Sequence, residues 1–303
     1  MSEAVSVRVD GRTVRLTNLD KVLYADGFTK GEVIDYYARI APVLLPHLAD
    51  RALTLKRFPD GVDGPSFFEK NVSRHAPDWV RTVRLATPGS GRGNEHADYA
   101  VAEDTATLVW AANLAALELH VPQWTVDPRG ARRDPDLLVF DLDPGAPATI
   151  VECCRVAELL RAELAGDGLP AYPKTSGSKG LQLYVPIRGS DAERPREYAR
   201  ELAERLAADR PQQIVSKMRR ALRDGKVLID WSQNNTAKTT VAPYSLRARE
   251  HPTVSAPVTW DEVESCARPQ DLVFTPAAVL DRVAEHGDLL ADLRGEANLL
   301  PSR

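Results

Sequence analysis

Apolar and polar residues alternate over 5–16 around Asp10-Gly11, which predicts a small β-hairpin. Thr17, with Asp20 three residues on, predicts a short capped helix. Thr29 and Glu32 stand at capping-box spacing, and Val33, Tyr36, Tyr37, Ile40 and Val43 form an apolar stripe of helical period. The runs 52–58 (ALTLKRF) and 66–70 (SFFEK) read as strands, and 88–96 (PGSGRGNEH) as a loop by composition. A helical stretch over 103–115 precedes a strand at 117–121 (LELHV).

The second half alternates more clearly. The nearly all-apolar run 136–142 (DLLVFDL) predicts a strand at the centre of a sheet. A helix is expected over 147–166, a strand over 181–187, a helix over 192–208, and strands over 226–231 and 239–245. An amphipathic helix is expected over 276–294. This mixture gives an α+β class, with no linker that cleanly splits the chain.

Composition narrows the function classes. The 303 residues are 43% hydrophobic and 27% charged, which suits a globular core and excludes a disordered chain. No apolar run reaches the roughly 20 residues of a membrane span, and the first residues lack an apolar signal region, so a cytoplasmic setting is expected. Three cysteines, two of them adjacent, make neither a disulfide framework nor a zinc cage. The net charge of −4 argues against coating nucleic acid by bulk charge but leaves local contact open.

Three segments carry candidate chemistry. In Phe140-Asp141-Leu142-Asp143-Pro144-Gly145, two carboxylates two positions apart on a strand point to one side. Their burial is costly unless cations neutralise them, and hard oxygen ligands suit Mg²⁺ or Mn²⁺; a turn after a strand is the competing reading. Lys174-Thr175-Ser176-Gly177-Ser178-Lys179-Gly180 is either a phosphate cradle with two lysines adding charge or a polar hairpin turn. Asp230, in Ile229-Asp230-Trp231-Ser232-Gln233-Asn234, is a capping residue alone and a third metal carboxylate in combination with Asp141 and Asp143. Of six histidines only His120 lies in an apolar strand, where a core role competes with a functional one. Phe67 and Phe68 would project to opposite faces of their strand. Lys217, Arg219, Arg220, Arg223 and Lys226 form either a solvated helix face or a phosphate-backbone track. An apolar strand ending in Asp-x-Asp also opens haloacid-dehalogenase-type phosphatases, but Gly145 stands where that fold wants Thr or Val.

Taken together, LTNLDKVLY, TKGEVIDYY, FFEK, ALELHVPQW, LVFDLDPG, TSGSKGL, GKVLIDWSQN, KTTVAPYSLR and HPTVSAP resemble the polymerase domain of bacterial DNA-repair ligase D, in the archaeo-eukaryotic primase superfamily. The resemblance implies one primase-polymerase domain over 1–303, without a ligase or nuclease module, as in stand-alone actinobacterial primase-polymerases. It implies two facing subdomains with an RRM-like catalytic sheet. It implies Asp141, Asp143 and Asp230 as ligands of two divalent ions, Mn²⁺ or Mg²⁺. Ser176, Lys179, His120 and Arg247 would surround a ribo- or deoxynucleoside triphosphate, with Lys56 and Gln233 in the same pocket. Phe67 and Phe68 would stack on base or template, and Lys21 and Lys30 would hold the 5′-phosphate of gapped or broken double-stranded DNA. As isolated residues both lysines read as solvent-exposed. The implied activity is template-directed gap filling or end extension in excision repair or non-homologous end joining, favouring ribonucleotides, with Ku and a separate ATP-dependent DNA ligase as partners near the nucleoid. A true primase and a DNA-end bridging module without catalysis are the alternatives. One departure stands out: the family motif Ser-Gly-x-x-Gly-x-His has Gln182 in place of histidine. Gln182 can donate a hydrogen bond to the nucleotide but carries neither proton nor charge.

Overall fold

The computed structural model describes residues 4–87 and 96–301. The chain forms two compact units, each assembled from three segments. The first takes Met1–Arg133, Val241–Val254 and Thr275–Gly287; the second takes Asp134–Thr240, Ser255–Phe274 and Asp288–Arg303. This interleaving explains why no single linker is visible in the sequence.

In the first unit, β1 (Val5–Val9) and β2 (Arg12–Leu16) pair across Asp10-Gly11, both with positive φ, as a two-residue hairpin turn requires. No helix follows at Thr17. Its N–H instead takes a donor role to Asn113 Oδ1 at 3.0 Å, and its carbonyl accepts the Lys30 ammonium at 2.5 Å. Helix α1 (Lys30–Leu48) begins at the expected capping box and buries Val33, Tyr36, Tyr37, Ile40 and Leu44. A four-stranded sheet runs in the order Thr240–Val241, β7 (Ala116–Val121), β3 (Thr54–Arg57) and β4 (Phe67–Glu69), with β7, β3 and β4 antiparallel. Strands β5 (Thr82–Ala86) and β6 (His96–Ala100) form a hairpin that the sequence reading missed. Of the loop expected there, residues 88–95 lie outside the described residues, and His96 opens β6. Helix α2 (Thr105–Asn113), capped by Asp104, packs on α1. The short strands β8 (Trp124–Val126) and β9 (Arg132–Pro135) follow.

The second unit is built on a five-stranded sheet. Its central strand is β10 (Leu137–Pro144), and helix α3 (Ile150–Gly166) follows it. Next come β11 (Tyr172–Thr175), β12 (Leu181–Pro186), helix α4 (Arg194–Asp209), β13 (Ile214–Val215) and β14 (Val227–Asp230). The order across the sheet is β11-β12-β10-β14-β13, and α3 and α4 pack against it. Strand β10 has neighbours on both edges, which accounts for its uninterrupted apolar run. Beyond Asp230 the side chain of Asn234 replaces a strand: it accepts from Val139 N–H at 2.8 Å and donates to Val139 C=O at 2.7 Å.

Three expected elements differ. The strand over 239–245 shrinks to Thr240–Val241, because Pro243 lacks an N–H and Tyr244 sits at φ 63°. The helix over 276–294 stops at His286, where Gly287 turns to φ 69°, and a separate 3₁₀ turn spans Ala291–Arg294. The basic run 217–226 is no helix face but an exposed loop with one 3₁₀ turn at Arg220–Leu222. Among the described residues no helix is long and apolar enough to cross a membrane.

Candidate active-site residues

Strand register assembles the carboxylates. Asp141 on β10 faces Asp230 on β14 to one side and Gln182 on β12 to the other, and Gln182 in turn faces Lys174 on β11. Directly opposed residues in antiparallel strands share a face, so Lys174, Gln182, Asp141 and Asp230 form one polar row across four strands. Asp143, two residues from Asp141, joins the same face. Carboxylate oxygens of Asp141, Asp143 and Asp230 all lie within 4.8 Å of one another.

Three acids this close oppose one another's ionisation. Burial, with the neighbouring Asp143 and Asp230 charges, pushes Asp141 up to about 7, against the pull of the Gln182 hydrogen bond and the Lys174 charge. A cluster of hard oxygen donors that resists carrying its full negative charge fits a divalent cation. The side chains beside it hold the carboxylates in place. Gln182 Nε2 donates to Asp141 Oδ1 at 3.0 Å, and Gln233 Nε2 donates to Asp230 Oδ2 at 3.0 Å. Ser232 donates to Asp230 Oδ1 from its backbone N–H at 2.9 Å and its hydroxyl at 2.6 Å, and Lys238 donates to the Ser232 hydroxyl.

Gln182 therefore holds the Asp141 carboxylate in place, is buried at 4% exposure, and has an Oε1 without a hydrogen-bond partner among the described residues. Replacing it by Leu should weaken Mn²⁺ binding about tenfold, since loss of a hydrogen bond that orients a metal ligand costs about 10- to 100-fold in affinity. Isothermal titration with Mn²⁺ checks this; an unchanged affinity would mean that Asp141 keeps its orientation unaided.

The glycine-rich segment is the turn that joins β11 to β12. Ser176 Oγ accepts from Ser178 N–H at 3.2 Å and Gly180 N–H at 3.1 Å, and Ser176 N–H donates to Gly180 C=O. Gly177 adopts φ 65°, and a Cβ at Gly180 would stand 2.2 Å from Leu142 O, so both positions need glycine. The two lysines do not act together. Lys179 is exposed, whereas Lys174 is fully buried, donating to Ser255 Oγ at 2.5 Å and lying over the Tyr184 ring.

The first unit gathers a second set. On one face of its sheet, Lys56 stands between Glu118 and Phe68 in the strand register, and His120 faces Thr54. Glu118, absent from the sequence reading, is the centre of this set. Its carboxylate lies 2.9 Å from His120 Nε2, 3.4 Å from Arg247 Nε and 3.6 Å from Lys56 Nζ. Burial raises the Glu118 carboxyl, but the His120 hydrogen bond and the Arg247, His120 and Lys56 charges outweigh it and hold the group at about 2. Burial lowers His120, only partly offset by Glu118, and so favours the neutral ring. Because Glu118 is ionised, His120 Nε2 carries the proton and donates to it. Phe67 and Phe68 are exposed at 45% and 56% and do point to opposite faces. Arg57 lies over the Phe67 ring, and Phe68 meets His120 edge-on with Lys56 over its own ring.

Lys21 and Lys30 come from neighbouring backbone, with Lys30 N–H donating to Lys21 C=O at 2.8 Å. Lys21 is half-exposed and pairs with Asp60 at 3.1 Å. Lys30 is not solvent-exposed but buried at 5%, held by Thr17. Burial, then the like charges of Lys21 and Arg57, lower its ammonium to about 8.

This α+β arrangement is a primase-polymerase fold. The family model described as the LigD primase-polymerase domain matches residues 29–290, and the chain belongs to that family. It is 47% identical over 286 residues to the multifunctional non-homologous end joining protein LigD of Mycolicibacterium smegmatis, covering 94% of this chain and 36% of the relative. It is 35% identical over 277 residues to the bifunctional non-homologous end joining protein LigD of Bacillus subtilis, covering 90% of this chain and 43% of that one. The chain thus spans less than half the length of these relatives. Among solved structures it is similar to the polymerase domain of Mycobacterium tuberculosis ligase D in complex with DNA, with a TM-score of 0.86, 43% identity, and 94% and 99% of the two chains covered.

Proposed function

We propose that the chain is a template-directed nucleotidyltransferase that fills short gaps or extends broken DNA ends. The observation that carries this reading is the convergence of Asp141, Asp143 and Asp230 on one face of a sheet in a LigD primase-polymerase domain. These three carboxylates would hold two divalent ions, Mn²⁺ or Mg²⁺. Bound there, the ions would lower the pKa of a primer 3′-hydroxyl and neutralise triphosphate charge as pyrophosphate leaves. Gln182 and Gln233 keep Asp141 and Asp230 oriented for that purpose. Ser176 and Lys179 bind nucleotide, and so do Lys56, His120 and Arg247. Exposed Phe67 and Phe68 offer stacking surfaces to base or template, where each stacked base is worth about 1–3 kcal/mol. Lys21 and Lys30 take the 5′-phosphate bordering a gap. The domain works in end joining or excision repair, beside Ku and a separate ligase.

Primer extension across a gapped duplex with Mn²⁺ and each nucleoside triphosphate tests the assignment. A templated product is expected; tight DNA binding without any product would leave an end-bridging module instead. The same assay addresses sugar choice. Ribonucleotides should be incorporated at least as well as deoxynucleotides, a reading that rests on family resemblance. Single-nucleotide kinetics with paired substrates would refute it by a strong deoxynucleotide preference.

A further inference from the structure

Glu118 is an acidic side chain almost wholly inside the first unit, at 2% exposure, yet three cationic or ionisable groups converge on it. The two oxygens are used differently. Oε2 accepts from His120 Nε2, whereas Oε1 accepts from Ala248 N–H at 3.2 Å and faces Lys56 Nζ and Arg247 Nε. Backbone thus fixes one oxygen and leaves the other to hold a ring. Lys56, His120 and Arg247 retain 26%, 12% and 19% side-chain exposure, so their outer edges remain reachable. Two permanent cations face one carboxylate, and Arg249 adds like charge beside Arg247. The cluster therefore carries surplus positive charge suited to a polyanion.

We propose that Glu118 is a positioning residue for nucleotide binding, anchoring Lys56 and Arg247 and fixing the His120 tautomer before any ligand arrives. This rests on the reading that Lys56, His120 and Arg247 bind nucleotide, the two cations through its phosphates. A lysine or arginine left loose must be ordered when the ligand binds, and that cost lowers affinity. Glu118 orders both beforehand, as preorganised electrostatic sites require. With Nε2–H committed to Glu118, His120 presents Nδ1 as an acceptor; its partner on the ligand is then a hydroxyl or amino group, not a phosphate oxygen.

The competing account is that Glu118 merely neutralises buried charge. The two accounts predict opposite effects for Glu118→Gln. Removing a counter-charge alone would strengthen binding of an anion, whereas removing an anchor weakens it. Ala248 N–H selects the amide oxygen at the Oε1 position, so the amide NH₂ of Glu118→Gln would face His120 Nε2 and drive the ring to the Nδ1–H tautomer.

The test compares wild type, Glu118→Gln, Glu118→Asp, Lys56→Ala and Arg247→Ala with a non-hydrolysable ATP analogue, Mn²⁺ and gapped duplex. Nitrogen-15 spectra of His120 are recorded at neutral pH. Glu118→Gln is expected to bind the analogue about tenfold more weakly and to show Nδ1–H. Glu118→Asp, which keeps the charge, is expected to retain Nε2–H and to lie between the two. Glu118→Gln affinity equal to or tighter than wild type overturns the proposal, as does an unchanged tautomer; should that variant not fold, Glu118→Asp binding as tightly as wild type overturns it. If Lys56→Ala and Arg247→Ala also bind like wild type, the nucleotide-binding reading itself fails.

Discussion

Asp141→Ala and Asp143→Ala should each reduce primer extension by about a thousandfold or more while leaving binding to gapped DNA nearly intact. Groups that stabilise charge developing in a transition state are worth about 10²–10³-fold each, and on the proposed reading these carboxylates would hold the ions that do so. Their oxygens cluster with Asp230 within 4.8 Å. The stability consequence has the opposite sign and separates this loss from unfolding. Native Asp141 is held at about 7, well above its ordinary value of 3.8, so between those values the native state binds more protons than the unfolded one. Folding therefore weakens as pH rises through that window, and the penalty is fully present above pH 7. Removing the carboxylate lifts it. Metal-free Asp141→Ala should melt at or above the wild-type temperature at pH 7.5. Robust extension by either variant would contradict the metal assignment, and a large drop in melting temperature would point to misfolding.

The second large effect concerns the 5′-phosphate. Wild type should bind a gapped duplex about tenfold more tightly when the downstream end is phosphorylated, because a charge-assisted contact contributes about 1.5–3 kcal/mol before solvent screening. Lys21→Ala plus Lys30→Ala should erase that preference. The pH dependence follows from Lys30, lowered to about 8 by burial and by the charges of Lys21 and Arg57. Below pH 8 the ammonium is charged and the preference is full. Above it the free protein loses the charge, so by pH 9.5 the preference should fall, with the midpoint above 8 because bound phosphate favours the charged form. A titration of phosphorylated and unphosphorylated substrates at pH 7 and 9.5 decides this. A double variant that still discriminates would place the phosphate site elsewhere.

Much of the second unit was legible because its signals are local. The apolar run through Phe140 and Leu142 marks a strand bonded on both edges, and the Asp-x-Asp spacing puts two carboxylates on one face. The Thr29–Glu32 capping box fixed the start of α1. What escaped depends on register. Glu118 looks like any single acid in a strand until β3 sets Lys56 opposite it. Lys174 reads as part of a surface turn until pairing with β12 carries it into the interior. Lys30 stands at a helix start, where lysine is ordinarily solvated; its burial depends on the Thr17 carbonyl, 13 residues away. Gln182 read as a ligand contact from its motif position, but the cross-strand pairing gives it Asp141 first. Gly287 ends the last helix, yet the apolar period continues beyond it and on its own predicts a longer one.

Anomalous diffraction from crystals grown with Mn²⁺, gapped DNA and a non-hydrolysable nucleoside triphosphate would test the central claim most directly. Two Mn²⁺ peaks in contact with the carboxylates of Asp141, Asp143 and Asp230 are the expected result. A nucleotide bound with no manganese at those three residues would contradict it.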